Sequence, residues 1–249
     1  MAVLRRTIIH TYKNPAIIVP SLAFPLVFLL AFAGGLSAVS NVPGFEFAAG
    51  YTAFQFIFVF LQMAAFGGIF TGYRLAEDYE SGFARRLMLG APNRLGIVIG
   101  YILAGLVRYA LIGAILWALA LATGMTVKGG PLDVLGIIAL AALLNIACSL
   151  WTIGLAFRYQ TVDIGSFMQT PVFVLLFLAP VYVPLTLLTG WLHGAASINP
   201  ITLILDAARG FITGEPDKVL YAFAASLLIA GLGWLWAMRQ MRRAEAGVR

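Results

Sequence analysis

Long apolar runs alternate with short polar connections along this chain, and six of the runs reach the length needed to cross a bilayer. They fall at about residues 17–36, 53–73, 95–123, 134–157, 166–188 and 219–238. A hydrocarbon core of about 30 Å takes about 20 helical residues, so the pattern predicts an all-α integral membrane protein with six transmembrane helices in one domain over 1–249. Three shorter elements stand out between them. Residues 3–13 put Leu4, Ile8, Ile9 and Tyr12 on one helical face and Arg6, His10 and Lys13 on the other, which predicts a helix lying in the membrane interface. A simple basic flank to the first span is the alternative, and Asn14-Pro15 bends the chain before that span. Residues 74–94 form a polar connection between the second and third runs. After the fifth run, Asn199-Pro200 supplies a capping residue and a proline at the first helical position, and the helix that follows carries Asp206 and Arg209 three apart before Gly214. At about 13 residues it is too short to span, so 190–217 reads as a re-entrant or surface-lying element on the outer side, with an ordinary amphipathic loop helix as the plainer option.

Composition and charge agree with the membrane reading and orient it. Hydrophobic residues make up 61% of the chain and charged residues 10%. Of sixteen Lys and Arg, twelve map to one side (Arg5, Arg6, Lys13, Arg74, Arg85, Arg86, Arg94, Arg158, Arg239, Arg242, Arg243, Arg249) and three to the other (Lys128, Arg209, Lys218). The excess of basic residues marks the cytoplasmic face, which places both termini inside a cell membrane. The net charge of +6 then needs no nucleic-acid partner, because the basic residues serve as topology anchors and contacts to anionic membrane lipid. The first apolar run is of span length and contains Pro20 and Pro25, so it reads as a retained span rather than a cleaved leader. Cys148 is the sole cysteine, and His10 and His193 map to opposite sides, so the sequence offers neither a disulfide nor a metal site.

Polar residues inside the runs must face protein or water. Gln55 and Gln62 are seven apart on one face of the second run, with Phe58, Phe66 and Ile69 at helical spacing. That stripe either lines a path for an amphiphile or bonds neighbouring helices. Arg108 lies within the third run, where a charge costs about 3 kcal/mol on insertion scales, and is expected to have a partner or a watery cavity. Gly96, Gly100 and Ala104 form a small-residue ridge suited to close packing. Pro171, Pro180 and Pro184 crowd the fifth run and predict a helix that is not straight.

Several of these features in order resemble the permease subunits of type-2 ABC exporters, most of all the daunorubicin and multidrug-resistance permeases. They are the amphipathic start with Tyr12-Lys13-Asn14-Pro15, the six runs, Glu80-Ser81-Gly82 followed by Arg85-Arg86-Leu87, Pro92 and Arg94, and an outer element with Asn199, Pro200, Thr202, Ala208, Arg209 and Gly210. The resemblance spans essentially the whole chain and implies a function in ATP-driven efflux. It implies that 77–94 is a coupling helix docking on a separate ATPase subunit, with Glu77, Asp78, Glu80, Ser81, Gly82, Arg85, Arg86, Pro92 and Arg94 as contact residues. The N-terminal helix with Arg6, His10 and Lys13 would flank that contact as a connecting helix. It also implies a second permease copy, as a homodimer or close heterodimer, and a substrate path between the second and fifth spans. Gln55, Phe58, Gln62, Gln169 and Phe173 are the candidate path residues, and Asn199, Pro200, Asp206 and Arg209 belong to the outer element.

The chain contains no G-x-x-x-x-G-K-[ST] phosphate loop. It is therefore expected to bind no cofactor and to be no enzyme itself, with ATP and Mg held by the ATPase subunit. An ion-driven secondary transporter would prefer acids near mid-membrane, whereas all ten Asp and Glu map outside the runs' centres. A membrane-embedded enzyme lacks its usual H-E-x-x-H or G-x-S-x-G. With eighteen Phe and few polar residues in the runs, the substrate is expected to be a hydrophobic or amphiphilic drug, lipid or metabolite, with polysaccharide or lipid-linked glycan as the alternative.

Overall fold

A computed structural model describes residues 23, 25–31, 45, 47–90 and 94–246. The elements there are helical: α1 (Gly50–Glu80), α2 (Phe83–Gly90), α3 (Leu95–Ala122), α4 (Pro131–Tyr159), α5 (Gly165–Phe177), α6 (Gly190–Ile198), α7 (Pro200–Thr213) and α8 (Val219–Ala246). A further helical stretch covers 25–31. Local sequence explains most boundaries. Gly82 follows the end of α1 with φ +73, the left-handed conformation that glycine adopts freely, and turns the chain into α2. Pro131 occupies the first turn of α4, while the Asp133 carboxylate accepts from the Gly130 N–H at 2.8 Å. The N-terminal interfacial helix with Arg6, His10 and Lys13 and most of the first expected span lie outside the described residues.

Among the described residues four helices, α1, α3, α4 and α8, are long and apolar enough to cross a membrane. α1 is the central one, packed against α3 and α4, and α4 in turn carries α8. Burial grades accordingly: 83% of the most apolar stretch of α1 is enclosed against 11% of that of α8. The outer surfaces of α8 and α3 present Leu220, Leu228, Leu235, Ile99, Leu103 and Val107, an apolar coat suited to lipid or to another protein.

The fit between α1 and α4 rests on glycine. A Cβ added at Gly68 would stand 2.6 Å from the Asn145 carbonyl oxygen and from Cys148 Cβ, and one at Gly72 would stand 2.3 Å from Thr152 Cβ. Because the backbones approach this closely, polar side chains of α4 reach carbonyls of α1. Asn145 Nδ2 donates to Ala64 O at 2.8 Å and Thr152 Oγ1 to Gly68 O at 3.1 Å. Such interhelical bonds in a membrane contribute about 1 kcal/mol each. α3 closes on the same region, where a Cβ at Gly105 would meet Thr71 Oγ1 at 2.6 Å.

The structure departs from three expectations. The fifth apolar run is not one helix over 166–188: α5 ends at Phe177, and a 3-10 turn at Leu185–Leu187 follows. Pro180 and Pro184 stand just beyond that end, where they cannot donate to a continuing helix. The ridge predicted at Gly96, Gly100 and Ala104 does not mark the tight helix contact at its first member, since Gly96 faces open space and the close approach falls at Gly105. The outer element is two helices, α6 and α7, and α7 is packed into the bundle with nine of its 14 residues buried, which counts against the surface-lying form of that expectation and leaves the re-entrant form standing.

Replacing Gly68 or Gly72 with Ala should lower stability by about 1–3 kcal/mol through overpacking. Gly96→Ala should leave it unchanged or raise it by up to about 1 kcal/mol. Thermal unfolding midpoints of the purified protein in one detergent check both; equal effects at the two kinds of site would refute the packing account.

Candidate functional site

The polar connection expected at 74–94 is a helix–turn–helix. α1 continues past its apolar stretch to Glu80, Ser81-Gly82 makes the turn, and α2 folds back with Ala84 and Met88 buried. The Tyr79 hydroxyl donates to Met88 Sδ at 2.7 Å, which fastens α2 to α1. Other elements brace the turn. One Glu80 carboxylate oxygen accepts from Thr161 Oγ1 at 2.9 Å and from the Val162 N–H at 2.8 Å, tying the end of α1 to the α4–α5 connection. The Tyr101 hydroxyl of α3 donates to Asp78, and Arg74 pairs with Glu77 at 2.9 Å. Arg85 donates to Gln160 Oε1 at 3.4 Å, and Arg94 pairs with Glu245 of α8 at 3.0 Å. Glu77, Glu80, Ser81, Arg85, Arg86 and Leu89 remain exposed on this end, with Leu89 70% exposed. Pro92 lies outside the described residues. Arg85, Arg158 and Arg243 also border a cleft of about 610 Å³ between the ends of α2, α4 and α8.

At the opposite end α7 works as a clamp. Asn199 Oδ1 accepts from the Ile201 N–H at 2.9 Å, capping α7, while its Nδ2 donates to Leu175 O at 2.6 Å. Pro200 then opens the helix. Arg209 is buried, donates to Pro180 O at 2.7 Å and Val181 O at 3.1 Å, and lies 3.4 Å over the Phe54 ring of α1. The segment left non-helical after α5 is therefore held by side chains of α7. Asp206 borders the same cleft as Arg209, and burial pushes its carboxyl above the usual range, against the pull of Arg209 and Lys218. Lys128 and Gly129 donate backbone N–H groups to Ile212 O at 2.9 and 3.2 Å, which closes this end over the α3–α4 connection.

Between the ends, the candidate path residues divide. Phe58 and Phe173 join one aromatic run through Phe177, with ring centroids 5.7 Å apart at both steps, and Phe66 meets Phe173 at 4.8 Å. Gln169 and Phe173 line a cavity of about 170 Å³ with Phe66, Phe70, Arg108 and Tyr109. Gln55 and Gln62 do not reach it. Both are fully buried within the protomer; Gln55 Nε2 donates to Tyr51 Oη at 2.7 Å, and both amide atoms of Gln62 lack a hydrogen-bond partner among the described residues.

Residues that sequence reasoning left unassigned complete the polar end: Tyr79, Met88, Tyr101, Thr161 and Glu245. Only Tyr79 and Met88, nine apart across a Ser-Gly turn, carried a local cue to their contact.

Residues 1–212 match the family model described as "ABC-2 type transporter". A protein named "Putative transport permease ycf38" from Pyropia yezoensis is 24% identical over 216 residues, which cover 84% of this chain and 72% of that protein.

Asn199→Ala should cost about 1–2 kcal/mol, because it removes the cap of α7 together with the bond to Leu175. Asn199→Ser keeps the cap alone and should recover about half. Thermal midpoints, with hydrogen exchange at residues 201–203, check this; an unchanged midpoint for the Ala variant would show that the clamp does not depend on Asn199.

Proposed function

Because this chain belongs to the ABC-2 type transporter family, we propose that it is the membrane-spanning subunit of an ATP-driven exporter and that it docks a separate ATPase through the helical turn at 77–94. Family membership makes it a membrane subunit of an ABC transporter. ATP and Mg would be held by the ATPase, since the sequence lacks a phosphate loop of its own.

The observation that carries the docking assignment is the braced turn. α2 offers Arg85, Arg86 and Leu89 outward while Tyr79–Met88 and Glu80–Thr161 hold it against the ends of α1 and α4. A surface that is exposed, of mixed charge and rigidly joined to a membrane helix suits a reversible protein contact that must pass force. The basic end it belongs to is the cytoplasmic one by the excess of positive charge, which puts both termini inside.

The finer features extend the same reading. A second permease copy would pair along α5, which leaves Phe167, Val174 and Leu175 exposed. The path for a hydrophobic or amphiphilic compound would follow the side of α1 that meets α5, where Phe58, Phe66, Gln169 and Phe173 gather. Gln55 and Gln62 would join it only when α5 and residues 178–189 move away from α1. Efflux direction follows the family resemblance.

Purification of the tagged chain from its native membrane in mild detergent should bring down a nucleotide-binding subunit in about equal amount. Arg86→Glu with Leu89→Asp should reduce that capture about tenfold or more, the size of a hot-spot loss, with the permease still monodisperse. These two side chains test docking more cleanly than Glu80 and Arg85, which also brace the turn. A chain that purifies without any ATPase, under conditions that keep comparable complexes together, would overturn the proposal.

A further inference from the structure

Arg108 sits at the middle of α3, 13 residues from one end and 14 from the other, so about 20 Å of helix separates it from either end of α3. Only 7% of it is exposed. Its acceptors are Gly67 O at 2.8 Å and Thr71 Oγ1 at 3.5 Å, both contacted by Nη2 and both neutral. No carboxylate pairs with it among the described residues, and Nε and Nη1 donate to none of them. Arg108 also borders open space within the bundle. That space is the cavity of about 170 Å³ between α1, α3, α5 and the 25–31 stretch.

The walls of the cavity define what would fit it. Arg108 supplies the charge, Gln169 a second polar group, and Phe66, Phe70, Tyr109 and Phe173 an aromatic lining. Phe70, 42% exposed, carries the lining out to the surface of the bundle, and the guanidinium lies 5.9 Å over its ring. A cation this deep in hydrocarbon carries a standing cost on insertion scales. Two neutral acceptors serve Nη2 alone and leave the charge unpaired, and an anion with a planar or tetrahedral oxygen set would supply both further acceptors and a countercharge.

We propose that this cavity binds an amphiphile with an anionic headgroup, a carboxylate or a phosphate, whose oxygens accept from the guanidinium N–H groups of Arg108 that Gly67 and Thr71 leave free and whose apolar chain runs out over Phe66, Phe70 and Phe173. The site deepens the transport reading by naming a ligand class, and it rests on that reading for the ligand's passage across the membrane. Binding itself needs no ATPase. The same headgroup chemistry is found on the membrane's anionic phospholipids and on free single-chain acids.

The test uses the whole purified chain in a neutral detergent, with radiolabelled oleate and its neutral counterpart oleyl alcohol as probes. Oleate should bind about tenfold or more tightly than the alcohol. Arg108→Gln should abolish that difference while leaving the alcohol unaffected, and Arg108→Lys should keep part of it. If Arg108→Gln does not fold, Phe173→Ala is the second variant and should weaken both probes together. Native mass spectrometry of protein taken directly from membrane separates the sources: a phosphatidylglycerol or phosphatidic acid adduct lost in Arg108→Gln assigns the site to a membrane lipid. Oleate preference without such an adduct assigns it to a free acid. Equal binding of oleate and alcohol to the wild type, with no Arg108-dependent adduct, would overturn the proposal. Capture of an ATPase is scored on other residues, so the transport reading and the ligand class fail separately.

Discussion

The close approach of α1 to α4 is the constraint on which the remaining structure depends. Gly68 and Gly72 leave no room for a Cβ against Asn145, Cys148 and Thr152. In a bilayer there is little hydrophobic drive to press two apolar helices together, so shape and interhelical hydrogen bonds must do it. Asn145 and Thr152 meet that requirement by donating to carbonyls of α1 that a larger residue would have screened. Once this pair is fixed, α3 can lay Gly105 against Thr71, and α8 can pack on the far side of α4. The same thin stretch of α1 offers Gly67 O to Arg108, so the packing device also positions the buried cation.

Around that seam the protein has two ends of different character. One is held by charged and polar side chains from four separate helices, among them Glu80, Asp78, Arg94 and Glu245. The other is held by α7, whose Asn199 and Arg209 bond backbone carbonyls of Leu175, Pro180 and Val181. The second arrangement explains how a proline-rich segment is tolerated after α5. Carbonyls that lose their helical donors receive donors from side chains instead, which is the condition for irregular backbone at membrane depth.

Hydropathy alone located α1, α3, α4 and α8, because span length is a strong signal, and Asn199-Pro200 announced the start of α7 through its cap. The stop of α5 at Phe177 was not legible: three prolines warned of a break, but its position depends on donors supplied by α7. Glycine spacing on the third run pointed to Gly96, whereas the tight contact is at Gly105, since spacing identifies a smooth face without saying which neighbour it meets. Buried Gln55 and Gln62 show the same limit, for a polar stripe reveals that a face avoids lipid and not whether it meets protein or a passage. The acceptor of Arg108 was beyond reach because a backbone carbonyl has no signature in the sequence.

α1 runs for 31 residues from Gly50 to Glu80, about 46 Å of helix. Phe54 near its first turns lies under Arg209, and Tyr79 at its far end holds α2. One continuous helix therefore joins the α2 turn to the Arg209 clamp, and the two ends of the bundle share a single backbone. The register of Phe54 under Arg209 is fixed by the same helix that fixes Tyr79 against Met88.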